Sequence, residues 1–453
     1  MDQIRVEAQG AAPANLFGAR AEAELPVHAP AFGSLTGEPA RPRRSWQAVA
    51  LRIVRDALIA VVLMTAVPII LVARNGDRVW DPGAFRQNPT RARVVQAETA
   101  RPLALAADRS ITPMQAGLAF NALQEKIEVR GFPMIEPAER PIATWETQIV
   151  TSEMFRTARP TVYKGPSSTT ILEAVSKGFT PQEMIYLRDL AGAPVWKNFD
   201  LVARAPAVDF VGARFRVPFA PDATHFELPT LRYKGTKDLA YAAVSRAAYH
   251  MAMGQRDSAE TVLRSIVSVG FTLIDNGTSL IEELVGNQIV GIGRDALQRF
   301  YVITHDARAT SPAVQPPPPL SGLVGSRSGS TSGNTDEMRR RFIAIVDDPS
   351  TRRAERYEAL NSLAVSSCTT VGQLLFGRSH DVDAAFSRAR RNLARYPSEQ
   401  SLVDLVDRPV DPVKLGSPFT GVAVSAATVA GTVLHNPRFA TCALVAQTVY
   451  RGK

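Results

Sequence analysis

The residues of this chain that could do chemistry are six histidines, two cysteines and a few acidic and glycine-containing motifs, and their spacing decides most cases. Histidines stand at 28, 225, 250, 305, 380 and 435, and none is paired at the spacing of a metal-binding helix face. His250 follows Tyr249 in an apolar helical run and reads as a boundary group. His305 precedes Asp306, which invites an acid–base pair, but a histidine at a helix end facing the dipole explains it with less. Gly291-Ile292-Gly293 lacks the third glycine and the preceding strand of a dinucleotide loop, so close helix packing is the expectation. Gly325-Ser326-Arg327-Ser328-Gly329 has arginine where a nucleophile elbow needs serine. Glu282-Glu283 and Asp347-Asp348 are sequence neighbours that diverge around a helix, and they read as caps and solvated faces. No catalytic residue, metal ligand or cofactor-binding residue is assigned, and no cofactor is expected. An enzyme reading keeps one foothold: a hydrolase site near 205–230, lined by Asp209, His225 and Glu227.

Cys368 and Cys442 are too few for a disulfide scaffold or a four-thiolate zinc site. Each lies among small residues, Ser366-Ser367 and Ala440-Thr441, beside helix-like runs. In an oxidising compartment they are expected to pair. The bridge would close a loop of about 75 residues and stabilise by about 3–5 kcal/mol in the chain-entropy model.

The composition, 45% hydrophobic and 21% charged over 453 residues, is that of globular protein. The net charge of +9 is carried by arginine, 44 of 52 basic residues. Residues 113–309 are neutral, and +4 falls on 46–112, around the most apolar stretch. A nucleic-acid binder would concentrate its excess on a folded face, so no nucleic-acid partner is expected.

That apolar stretch is Ala57 to Ala73, ALIAVVLMTAVPIILVA, seventeen residues without a charge. It is long enough to span a bilayer at the short end of the range. Trp46 and Trp80 bracket it, and Pro68 is tolerated in lipid. Five arginines precede the span (41, 43, 44, 52 and 55) and three follow it closely (74, 78 and 86), which places the N-terminus in the cytoplasm. Residues 1–45 read as a disordered cytoplasmic tail, 46–75 as the juxtamembrane and transmembrane helix, and 76–111 as a stalk.

Helix punctuation follows. Thr112-Pro113-Met114-Gln115, Thr180-Pro181-Gln182-Glu183 and Ser279-Leu280-Ile281-Glu282 each place a hydroxyl cap three residues before a glutamine or glutamate. A helical domain is expected over 112–309, with the proline-rich 195–233 as loop and a short strand pair. Residues 310–335, with four consecutive prolines and then Gly/Ser, read as a linker. A C-terminal helical domain is expected over 336–453, with a helix started by Asn334-Thr335-Asp336-Glu337 and given an apolar face by Phe342, Ile345 and Val346, and further helices at 351–366, 369–376, 381–395 and 422–434.

Residues 237–270 carry two apolar-periodic helices separated by Gly254-Gln255-Arg256-Asp257, with Ala243, Ala247 and Ala248 facing Ala259, Leu263, Ile266 and Val267. With the following Asp257-Ser258-Ala259-Glu260, this stretch resembles a single tetratricopeptide-type hairpin. It lacks the large aromatics of the first helix and has no second copy at the family period. The resemblance implies protein–protein scaffolding, and no family is recognised for the whole chain.

The fold class expected is therefore mainly α: a single N-terminal transmembrane helix, then two helical extracytoplasmic units and a proline-rich loop segment. The expected location is the inner (plasma) membrane, single-pass, with the lipid bilayer and another membrane or envelope protein as partners. The expected role is that of an accessory or interaction subunit, with the hydrolase as the alternative.

Overall fold

A computed structural model of the chain describes Arg55, residues 96–124, 170–220, 233–316, 335–366 and 378–408, and the single positions 223 and 228. The apolar run 57–73, expected from sequence to span a membrane, lies outside these residues, as do His225, Glu227, Cys368 and Cys442 and the helices expected at 369–376 and 422–434. The described residues are mainly helical and contain no strand. No helix among them is long and apolar enough to cross a membrane.

The three capping boxes each start a helix: α1 (Pro113–Asn121), α3 (Pro181–Ala191) and α8 (Leu280–Ile303). The hydroxyl oxygens of Thr112, Thr180 and Ser279 accept from the amides of Gln115, Glu183 and Glu282 at 3.2–3.3 Å. In return, the side chains of Gln115, Glu183 and Glu282 accept from the amides of Thr112, Thr180 and Ser279 at 2.8–3.0 Å. Each box thus satisfies two amides that a helix start leaves without partners. α2 (Thr170–Ala174) precedes α3.

The hairpin region forms α6 (Lys234–Ala252) and α7 (Arg256–Asn276), joined by a tight turn. Gly254 adopts φ +72° there, which glycine reaches without side-chain strain. Ala243, Ala247 and Ala248 are fully buried against α7 and its neighbours, so small residues set the close approach. α7 also packs along α8. A Cβ on Gly270 would lie 2.7 Å from the Gly286 carbonyl oxygen, and one on Gly286 would lie 2.6 Å from the Gly270 oxygen. A Cβ on Gly293 would meet Val267 Cγ2 at 2.7 Å, whereas one on Gly291 would meet nothing within 4 Å. The packing expected of the Gly291-Ile292-Gly293 glycines thus belongs to the second alone.

Within 195–233, expected to be loop with a short strand pair, two described stretches are helix instead, and no strand is present among the described residues. These are α4 (Val195–Arg204) and α5 (Phe210–Arg214), joined by a short connection over 205–209. Val195, Trp196, Phe199, Val202 and Ala203 recur at helical spacing and are all buried, so tertiary packing holds α4 despite its flanking prolines. Trp196 Nε1 donates to the Leu190 carbonyl at 2.6 Å and caps the end of α3. Residues 98–103, assigned from sequence to the stalk, form a 3-10 turn, with Ala100 and Leu103 in the core and Leu105 N bonded to Ser268 Oγ at 2.7 Å. After α8, residues 307–310 make another 3-10 turn, and Ala313 and Val314 enter the same core, so the fold continues to the edge of the proline run.

Four helices complete the described chain: α9 (Thr335–Asp347), α10 (Arg353–Ser366), α11 (His380–Asn392) and α12 (Pro397–Asp407). They build a second core from Phe342, Val346, Tyr357, Leu360, Leu363, Phe386 and Leu402. Val211, Phe215 and Phe219 belong to this second core, while their neighbour Phe210 belongs to the first and meets Phe120 edge-on at 4.9 Å. The five-residue α5 is therefore shared by the two cores.

Candidate functional site

Between the two cores several charged side chains meet, and this seam is the candidate site. It begins at Arg101. Its guanidinium forks onto Glu98 (2.6 and 2.9 Å) and Asp275 (2.7 and 2.8 Å) and stacks 4.0 Å from the Phe271 ring centroid. Glu98 also accepts from Arg352 Nη2 at 2.6 Å, 254 residues away in the chain. Burial pushes the Glu98 carboxyl up, but hydrogen bonds from Arg101 and Arg352 outweigh it and hold the group below its ordinary range. Arg352 Nε lies 3.5 Å from Oε1 of the fully buried Glu283, so one arginine serves two carboxylates from the other layer.

A second knot sits beside it. Arg353 Nη2 donates to Glu399 at 2.6 Å, and Nη1 donates to the Leu393 carbonyl at 2.7 Å. Burial raises the Glu399 carboxyl above its ordinary value, with Arg353 opposing the rise. The neighbouring Arg395 donates across the seam to Asn276 Oδ1 at 3.2 Å. Burial and the like charge of Arg353 lower its affinity for the proton.

Asp209 sits at the point where α5 joins the layers. Its Oδ1 accepts from Gly212 N at 2.8 Å as the α5 N-cap, and both oxygens accept from Ser398 Oγ at 2.8 Å. Near the other end of α5, Arg214 Nη2 lies 3.7 Å from Glu282 Oε1, the atom that accepts from the Tyr233 hydroxyl. Glu282 Oε2 accepts from the amides of Thr278 (2.6 Å) and Ser279 (3.0 Å). The Tyr233 hydroxyl is held well above its ordinary pKa, first by burial and then by the Glu282 charge.

The residues singled out from sequence are placed as follows. Asp209 is committed to a helix cap and a cross-chain hydrogen bond. Glu282 is the capping-box acid expected of it, but Glu283 is buried at the seam and is not a solvated face. Asp347 pairs with Arg388 (2.8 and 2.9 Å), and Asp348 caps the turn to Ser350. His305 has φ +53° and closes α8: its amide donates to Val302 O at 3.2 Å, and the next amide, Asp306, donates to Tyr301 O at 2.9 Å. This double bond pattern is a helix terminator. Asp306 then turns its carboxylate to the Arg308 guanidinium and amide, which hold its pKa down at about 2. His250 Nδ1 rests 2.7 Å from Gln255 Oε1 at the hairpin turn.

No family model, curated protein or solved structure matches this chain.

The seam is suited to fastening. Glu98, shared by Arg101 and Arg352, is partly exposed, whereas Glu283 and Glu399 are buried, so removing the arginine partner of either strands a buried charge. Sequence reading missed Glu98, Asp275, Arg352, Arg353 and Glu399. The available signal was an Arg-Arg pair opening a helix whose following residues, Ala354, Tyr357 and Leu360, are apolar at helical spacing.

Proposed function

We propose that this chain is a membrane-anchored helical protein that serves as an interaction or accessory subunit in the cell envelope. The observation that supports the interaction role is the seam: the described charged clusters tie one helical layer to another, so that the helices present a joined surface. The hairpin α6–α7, with its resemblance to a tetratricopeptide unit, supports a scaffolding role. The apolar run 57–73, flanked by arginines and bracketed by tryptophans, supports a single-pass anchor in the inner membrane, N-terminus inside. On that topology the helical layers face an oxidising space, and Cys368 and Cys442 form a bridge.

The hydrolase alternative rests on Asp209, His225 and Glu227. The engagement of both Asp209 oxygens with Gly212 and Ser398 weighs against it, because a catalytic carboxylate needs a lone pair turned to substrate.

Three experiments test the proposal. Carbonate washing of membranes should leave the full-length chain in the pellet, and its release would remove the anchor. Reporter fusions at both ends should place the C-terminus outside the cytoplasm. Gentle detergent extraction followed by affinity purification should recover a second envelope protein in fixed ratio, and recovery of the chain alone would overturn the subunit role.

A further inference from the structure

One dipeptide at the seam has chemistry that the fold restrains. Asn276-Gly277 closes α7, and an asparagine followed by glycine is the pair most open to intramolecular attack, because no side chain shields the glycine nitrogen. We propose that Asn276 is a spontaneous modification site, silent while the two helical layers are fastened and converted to aspartate or isoaspartate once they part.

The bond changes are complete with water alone. The Gly277 backbone nitrogen loses its proton and bonds to Asn276 Cγ, the Cγ–Nδ2 bond breaks, and ammonia leaves. Water then opens the cyclic imide at either carbonyl, giving aspartate or the isoaspartate isomer.

Four contacts oppose ring closure in the folded chain. The Gly277 amide donates to the Leu273 carbonyl at 2.9 Å, so the nucleophile is occupied. Asn276 is buried. Its Nδ2 donates to Thr272 O at 3.0 Å, and its Oδ1 accepts from Val208 N at 3.3 Å and Arg395 Nη1 at 3.2 Å. The last contact crosses the seam and the one before it leads into α5, so restraint at Asn276 depends on both cores. Nor is the glycine replaceable: a Cβ at 277 would lie 2.6 Å from Leu273 O and 2.9 Å from Glu282 Cβ. The fold thus requires the glycine beside this asparagine and holds the reaction back by packing.

The products do not restore the site. Aspartate sets a carboxylate oxygen against Thr272 O, where an N–H stood. Isoaspartate adds a methylene to the backbone next to Gly277, where there is no room. Chains that have opened are therefore marked and lose the means to close.

The test is peptide mapping of the full-length chain in detergent, incubated at mildly alkaline pH with and without denaturant. Trypsin releases Ser265–Arg294, which also contains Asn287-Gln288 as an internal comparison. Asn276 should convert at least about tenfold faster in the denatured chain than in the native chain, with Asn287 unchanged in both, since exchange-type reactions report local opening. Arg395→Met, which removes one tie, should raise the native rate about fivefold while circular dichroism stays unchanged. Equal rates for Asn276 in native and denatured wild-type chain would overturn the proposal. A native rate unmoved by Arg395→Met would overturn the role of the seam contact.

Discussion

The hydroxyl of Ser398 lies 2.8 Å from both carboxylate oxygens of Asp209, a residue 189 positions earlier that caps α5. One buried acid thus starts a helix and fixes the first turn of another from the opposite layer. Replacing it by alanine removes the cap and leaves the Ser398 hydroxyl buried without its acceptor. Asp209→Ala should cost about 2–4 kcal/mol, and Ser398→Ala about 1–2 kcal/mol. Denaturant titration of both variants and the double variant should give less than the sum, as contacting residues do.

The α7–α8 crossing offers a contrasted pair of substitutions. Gly286→Ala forces a methyl to 2.6 Å from the Gly270 oxygen, and the two helices must separate. A loss of at least about 2 kcal/mol is expected, from overpacking against backbone. Gly291→Ala, on the same helix with open space around it, should gain up to about 1 kcal/mol from helix propensity. Thermal melts of the two variants should move in opposite directions.

At the second knot, Glu399 is a carboxyl raised by burial, so between pH 4.5 and its higher folded value the folded chain holds more proton than the unfolded one. Its contribution to stability is therefore greatest below the unfolded value and falls as pH rises through that window. Glu399→Gln should flatten that part of the stability profile. Arg353→Met should cost about 3–5 kcal/mol at neutral pH by stranding the carboxylate. Asp306 has the opposite sign: its carboxyl is held at about 2, so its stabilisation is present above 3.8 and is lost as pH falls towards 2. Denaturation midpoints measured from acid to neutral pH, with and without each substitution, check both signs.

Tyr233→Phe deletes the hydroxyl that donates to Glu282 while leaving the ring in place. The expected cost is about 1–3 kcal/mol, since the acceptor remains buried. In an alkaline absorbance titration, Tyr233 should ionise only when the fold is lost, because burial and Glu282 both oppose its phenolate. Two further tyrosines, 186 and 301, should titrate near pH 12, each raised by burial.

The helix starts at Thr112, Thr180 and Ser279 were legible because a capping box is a local device, complete within four residues. The hairpin turn at Gly254 was legible for the same reason. α4 and α5 were not, since prolines at 206 and 218 and short aromatic runs imitate loop and strand. Only the burial of Trp196, Phe199 and Val202 on one face selects the helix. The stripe is visible in the letters once prolines are read as boundaries. The seam left no comparable trace. Glu98 and Arg352 meet across 254 residues, and a charged side chain is written identically whether it faces water or another charge inside. Glu283 shows the cost of that ambiguity: its neighbour Glu282 is a capping acid in plain view, while Glu283 itself is wholly enclosed.

Phe210 and Val211 are adjacent in the chain, yet each belongs to a different core. Neither core can melt while the other keeps its half of that peptide in place without dragging on a single turn of backbone. Heating should therefore give one sharp calorimetric peak shared by both halves. On that expectation the two ends loosen together when heated, and neither waits half-melted for the other.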